Sequence, residues 1–227
     1  MPTIDQLEKK INELESKLQR VADLQAIACI QGRYIYYLQA HQYDKIVDLF
    51  ARSAEITVEM DDLGRYAGRD KVLSVFLDVL KPLYMVKGSM GLHMLSTPVI
   101  EVSSDGKHAW GMWHTLGCNT QPDFIAHDSA QSAEPELLAM WQQGKYFIDF
   151  IKEDGEWRFQ NFRWYTNFRT PFDMGWVKQP ITGNMSIARK LFPGCPSPDG
   201  PSEYEPFDPN GLTSYLPVPP PSGETIT

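Results

Sequence analysis

Basic charge and cysteine are both scarce in this chain of 227 residues. Lys and Arg number 21 against 29 Asp and Glu, a formal charge of −8. No basic patch is available to release phosphate counterions, so a nucleic-acid partner is excluded. Three widely spaced cysteines, Cys29, Cys118 and Cys195, make neither a disulfide framework nor a zinc pattern. Cys29, near the apolar side of a helix, reads as a small buried hydrophobe. The five histidines, at 41, 93, 108, 114 and 127, show no HxH or HxxxH spacing, and there is no glycine-rich phosphate loop. Neither a metal nor a cofactor is expected. Long apolar runs and a basic-then-apolar leader are missing too, which predicts a soluble cytoplasmic protein with no membrane partner.

The hydrophobic fraction of 42% and charged fraction of 22% suit one globular domain with extensions. Residues 3–21 carry Ile4, Leu7, Ile11, Leu14, Leu18 and Val21 at alternating steps of three and four. That is a short coiled-coil seam, expected to pack on the domain body or on a second subunit. From 22 to 51 a second helical pattern presents Leu24, Ile27, Ile30, Tyr34, Tyr37 and Leu38, then a short helix with Ile46, Leu49 and Phe50. Tyrosine hydroxyls in such a stripe need a partner or a ligand. A strand follows at 53–60 and a helix at 66–80. Strands follow at 92–102 and 108–117, and a hairpin at 145–165 turns on Asp154–Gly155. Residues 117–143 read as a polar insertion between strands. The tail 166–227 holds most of the seventeen prolines and is expected to wrap over the domain or a neighbour, with one brief helix at 185–192.

The segments RYIYYLQAHQYDKIVDLF, YAGRDKVLSVF, GLHMLSTPVIEVSSDGKHAWGMW and GKYFIDFIKEDGEWRFQNFRW, in that order, span about 24–165. Together they resemble the SnoaL-like branch of the nuclear transport factor 2-like superfamily. The resemblance implies an α+β fold in which a cone-shaped, curved antiparallel sheet wraps around the long helix. Three segments result: an N-terminal helix at 1–21, a barrel domain at 22–165 and the tail. Scytalone dehydratase, bile-acid 7α-dehydratase, ketosteroid isomerase, polyketide cyclases and non-catalytic modules share this fold, so fold alone leaves function open.

What the resemblance implies about the site starts with Tyr34, at the position of the helix tyrosine that polarises a substrate oxygen in the dehydratases. His93 stands where their general base opens a strand; an ordinary pKa of about 6.5 suits the task. The carboxylates those enzymes pair with it are missing, since Gln39 and Ile148 occupy the two positions while Tyr146 is kept. Gln39 can fix a ring tautomer but cannot act as a base. Glu59 and Asp61 are the candidate replacements. Strand alternation groups Trp110, Met112 and His114 on one face, and Trp157, Phe159, Asn161, Arg163 and Tyr165 on another. Arg163 is the candidate counter-charge to a carboxylate, phenolate or enolate. Tyr37, Gln39, Trp110, His114, Tyr146, Asn161 and Tyr165 are candidate substrate contacts. These residues favour a cofactor-independent lyase acting on a hydrophobic, ring-containing hydroxylated molecule. The reaction would be dehydration or, as the resemblance implies from some members of the family, loss of a small fragment such as formaldehyde from a lignin-derived diaryl compound. A carbonyl isomerase and a non-catalytic binding or assembly subunit are the alternatives, and a homodimer or homotrimer is expected.

Overall fold

The computed structural model describes residues 2–53, 55–122, 136–181, 194–203 and 205–221. A single helix, α1 (Ile4–Gln39), joins the two helical stretches predicted separately. Its first glycine is Gly32 and it has no proline, so nothing breaks it between the seam and the domain. Thr3 starts it with a capping box: its Oγ1 accepts from Gln6 N–H, and its own N–H donates to Gln6 Oε1. Residues 4–22 are exposed along their whole length. Burial begins at Asp23, followed by Ile27, Ile30, Gln31, Tyr34, Ile35 and Leu38. Cys29, expected inside, is exposed because it projects away from that face.

After α1 come α2 (Tyr43–Val47), β1 (Thr57–Met60), a 3-10 turn (Asp61–Leu63) and β2 (Gly64–Ala67). A helical rod then runs through α3 (Arg69–Ser74), a π-helical turn (Val75–Leu80) and α4 (Lys81–Tyr84). Four long strands complete the sheet: β3 (Met90–Val102), β4 (His108–Pro122), β5 (Leu137–Glu153) and β6 (Glu156–Pro171). Among the described residues the sheet has six strands in the order β2-β1-β6-β5-β4-β3. Every pairing is antiparallel except β1 with β6, which is parallel. The sheet is open and curved, and α1 packs on its concave face against β3 and β6.

Aromatic rings fill the space between helix and sheet. Tyr34 meets Phe162 at 4.8 Å between centroids, and Phe50, Phe76, Tyr146, Phe150 and Phe159 join the same cluster. Rings this close at steep angles add edge-to-face attraction to the burial of apolar area. Asp23 pins the helix to the β5–β6 hairpin. Its Oδ1 accepts from Lys152 Nζ at 2.5 Å and from Trp157 Nε1 at 2.9 Å.

Two bulges in β6 decide which side chains face the core. Asp149 pairs with Asn161 and Phe150 with Phe159, so Gln160 has no partner. Gln143 pairs with Phe168 and Gly144 with Thr166, leaving Asn167 over. Each extra residue reverses the alternation. Trp157 and Phe159 face inward as predicted, but Asn161, Arg163 and Tyr165 are turned to the outer face while Phe162 and Trp164 take the inner one. The second bulge then turns Arg169 inward.

The strands are longer than the sequence pattern indicated. β4 runs on to Pro122 and β5 begins at Leu137, so both ends of the expected insertion belong to the sheet, and 123–135 lies outside the described residues. β6 continues six residues past Tyr165 to Pro171. The helix expected at 185–192 also lies outside the described residues. The described tail lies on its own domain. Asp199 accepts from Ala67 N–H and pairs with Lys71, Phe207 N–H reaches Asn167 O at 2.7 Å, and Lys145 holds the carbonyls of Tyr215 and Pro217.

Candidate functional site

Where the C-terminal end of α1 meets the far ends of the long strands, a cavity of about 60 Å³ remains. Its walls come from five places. Tyr34, Leu38, His41 and Tyr43 come from the end of α1 and the start of α2, and Asp61 from the turn after β1. Leu80 and Tyr84 come from the rod, His93 from β3, and Asn119, Gln142, Tyr146, Trp164 and Arg169 from β4 to β6.

His93 sits at the centre of a chain of polar contacts. Its Nδ1 lies 2.6 Å from Tyr146 Oη, and its Nε2 contacts the Gln142 amide nitrogen. The same Gln142 nitrogen donates to Asn119 Oδ1 at 3.3 Å. With that amide donating to Nε2, the ring proton lies on Nδ1 and is donated to Tyr146, whose hydroxyl continues to Tyr34. The imidazole is tilted against the Trp164 ring, 5.2 Å between centroids. Its room comes from Gly117 on the neighbouring strand. A Cβ there would stand 2.0 Å from Leu92 O and 3.1 Å from His93 Cδ2. Gln39 donates to the backbone carbonyl of His93 at 3.1 Å, so it positions the strand and leaves the ring to Gln142.

Electrostatics keep this imidazole neutral. Burial, and secondarily the positive charge of Arg169, push its pKa down to about 4. Burial also raises the pKa of Tyr34, Tyr84 and Tyr146, so their hydroxyls remain donors. The counter-charge in the cavity is Asp61. Its Oδ2 accepts from Arg169 Nη2 at 2.9 Å and Thr166 Oγ1 at 2.8 Å, and its Oδ1 accepts from Thr166 N–H at 2.8 Å. Both side chains of this pair are 5% exposed, so its geometry must be well satisfied to persist. Tyr43 Oη, His41 Nδ1 and Arg169 Nε are buried without a hydrogen-bond partner among the described residues. Buried polar atoms of this kind are normally satisfied, and all three belong to residues lining the cavity.

Of the residues singled out in the sequence, the fold brings Tyr34, His93 and Tyr146 together. Asp61 joins them, whereas Glu59 points outward and accepts from Glu203 N–H at 2.6 Å. Arg163 and Asn161 are outer-face residues bound to Asp149 at 2.8 and 2.9 Å. Tyr165 is buried on that same face beside Glu59. Trp110 packs edge-on to Phe147, and His114 stands beside Gln143 and the tail. Tyr37 lies beside α1's end with Lys45 over its ring. None of these six lines the cavity. The arginine of the site is Arg169, beyond the span of the resemblance, and His41, Tyr43, Asn119 and Gln142 were also missed. Among the described residues, no three His, Cys, Asp or Glu side chains gather as a metal site, and no helix is long and apolar enough to cross a membrane.

The profile of the SnoaL-like domain family matches residues 19–163. A search of curated proteins finds no match. Among solved structures, a hexachlorocyclohexane dehydrochlorinase, LinA type 2, aligns at 20% identity and TM-score 0.53, covering 69% of this chain and 93% of its own. A protein from Novosphingobium aromaticivorans provisionally assigned as a scytalone dehydratase aligns at 18% identity and TM-score 0.54, covering 74% and 97%. A LinA-type3 dehydrochlorinase from Novosphingobium barchaimii aligns at 19% identity and TM-score 0.53, covering 69% and 94%. At these identities the likeness is one of fold.

Proposed function

The chain belongs to the SnoaL-like domain family, and from that premise and the cavity's geometry we propose a cofactor-independent lyase with His93 as its base. One observation carries the reading. A neutral imidazole is held in the cavity wall, hydrogen-bonded to Tyr146 and flanked by a buried Arg169–Asp61 pair. A base poised in this way can remove a proton from carbon, and the tyrosines can protonate the group that leaves. The relatives named as a dehydrochlorinase and a dehydratase are named for eliminations of the same form.

In the proposed step the substrate displaces Gln142 from Nε2, and Nε2 takes a proton from the carbon next to the one bearing the hydroxyl. The C–H electron pair becomes the new double bond as the C–O bond breaks. The Nδ1 proton passes to Tyr146, the Tyr146 proton to Tyr34 and the Tyr34 proton to the departing oxygen, which leaves as water. His93 ends neutral on its other tautomer. Arg169 stabilises negative charge that develops on a conjugated oxygen, while Tyr43 and His41 offer polar contacts at the helix end. Loss of formaldehyde from a lignin-derived diaryl compound uses the same groups: the base takes the proton of a primary hydroxyl and the C–C bond breaks. The electron pair of that bond forms the alkene as the neighbouring oxygen departs protonated. The aromatic walls suit a hydrophobic ring.

Ligand pockets commonly hold roughly 300–1,000 Å³, so a ring can enter only if the rim opens. The rod carrying Leu80 and Tyr84 is the element to move, because its π-turn leaves the helix with irregular hydrogen bonding. The test is a screen of hydroxylated aromatic and steroid-like compounds for loss of water or formaldehyde, followed by His93→Ala and Tyr34→Phe. His93→Ala should abolish turnover, and Tyr34→Phe should lower it roughly 10²- to 10³-fold. Full activity in His93→Ala refutes the mechanism. Ligand-induced thermal stabilisation with no turnover for any compound would favour a binding module.

A further inference from the structure

The N-terminal half of α1 presents an apolar seam that its own domain cannot cover. Ile4, Leu7, Ile11, Leu14, Leu18 and Val21 are 46% to 75% exposed. At roughly 100° per residue these six share one side of the helix. Ile27, Ile30, Gln31, Tyr34 and Leu38, which dock on the sheet, share the opposite side. Because α1 is continuous, the seam faces directly away from its own sheet.

We infer that this seam is the dimerisation surface of the chain, and that it pairs in parallel, in register, with the same seam of a second copy. The heptad assignment puts Ile4, Ile11 and Leu18 at a positions and Leu7, Leu14 and Val21 at d. The first two heptads, with isoleucine at a and leucine at d, carry the pattern that favours two parallel strands over three or four, and the third reverses it with Leu18 at a and Val21 at d. The flanking charges select the direction. Glu8 and Glu15 occupy e positions and Lys10 and Lys17 occupy g positions. Parallel pairing sets Lys10 against the partner's Glu15 twice per dimer. Antiparallel pairing would set lysine against lysine and glutamate against glutamate, which repels. The charge pattern is thus self-complementary only in the parallel arrangement, and this identifies the partner as a second copy. The two domains then lie on opposite sides of the helix pair with their cavities at the same end.

The test uses the full chain. Light scattering at micromolar concentration should give twice the 25.9 kDa chain mass. Leu7→Asp/Leu14→Asp should give the single-chain mass with an unchanged unfolding temperature for the domain, since both side chains are exposed and neither belongs to the domain's core. Lys10→Glu should weaken association severalfold, and Lys10→Glu/Glu15→Lys should restore it. In a Cys29→Ser background, Leu7→Cys should form a disulfide-linked dimer under mild oxidation. A monomeric or trimeric wild type would overturn the inference, as would a dimer unaffected by Leu7→Asp/Leu14→Asp. So would cross-linking only when Leu7→Cys is mixed with Leu18→Cys, the signature of antiparallel helices.

Discussion

The neutral state of His93 can be tested before any substrate is known, through stability. Its folded pKa of about 4 lies below the ordinary 6.5, because burial and Arg169 disfavour the imidazolium. Between those two values the unfolded chain binds one proton that the folded chain refuses. Stability therefore falls as pH drops from about 6.5 toward 4 and levels off below, with the full contribution present above 6.5. The gap of roughly 2.5 units at about 1.4 kcal/mol each amounts to about 3 kcal/mol. That figure is a ceiling, since His93 keeps partial contact with solvent. The perturbation is His93→Gln, which keeps hydrogen-bonding capacity and removes the titration. Urea unfolding at half-unit steps from pH 7.5 to 4 should show the wild type losing about 1–3 kcal/mol more than the variant. The His93 ring resonances in an NMR titration should stay in the neutral form down to about pH 5. Parallel stability curves, or a His93 midpoint near 6.5, would refute the electrostatic account. A base that is already protonated near neutrality would also undercut the proposed mechanism.

Two further outcomes follow from contacts around that histidine and at the helix entry. Gly117→Ala should cost about 1–3 kcal/mol in urea unfolding, because its Cβ would stand 2.0 Å from a backbone oxygen of β3, and it should shift the His93 ring resonances. Asp23→Ala should cost about 1–3 kcal/mol, leaving the buried Trp157 N–H without its acceptor. Burial alone would raise the Asp23 pKa, but hydrogen bonds from Lys152 and Trp157 outweigh it and the net shift is downward. Its contribution is complete above the ordinary carboxylate pKa and lost on acidification through the lowered one, so the wild-type advantage over Asp23→Ala should shrink at low pH.

Much of the fold was legible because its signals are local. The α1 periodicity, the Asp154–Gly155 turn and the alternation in β1 each depend on a few neighbouring residues. The family pattern supplied their order, and it pointed to Tyr34, His93 and Tyr146. Face assignment failed on β6 because a bulge is one residue with no distinctive chemistry. Gln160 and Asn167 look like any strand residues, yet each reverses every side chain beyond it. That reversal exchanged Arg163 for Arg169. On β4 the alternation was read correctly, but not which face was inner: Trp110, Met112 and His114 look outward, while Trp113 faces the core.

The missed half of the site has a different cause, and it reaches beyond this chain. Hydrophobic-in, polar-out alternation identifies a strand only where its inner face meets an apolar core. At the far ends of β4 and β5 the inner face carries Thr115, Asn119, Gln121 and Gln142, all buried. There the polar residues point in, and the stretch 117–143 therefore looked like a loop. The same inversion explains why a strand goes unrecognised and why a polar-lined cavity lies at that place. Amides and hydroxyls cost free energy to bury unless partnered, so a sheet that turns them inward must supply partners for them. Here Gln142 meets both Asn119 and His93, while Thr115 Oγ1 and Gln121 Oε1 are buried without a hydrogen-bond partner among the described residues. A buried polar stretch continuing a strand is thus a sign of the cavity itself, and in this fold it lies at the end of the sheet where α1 stops.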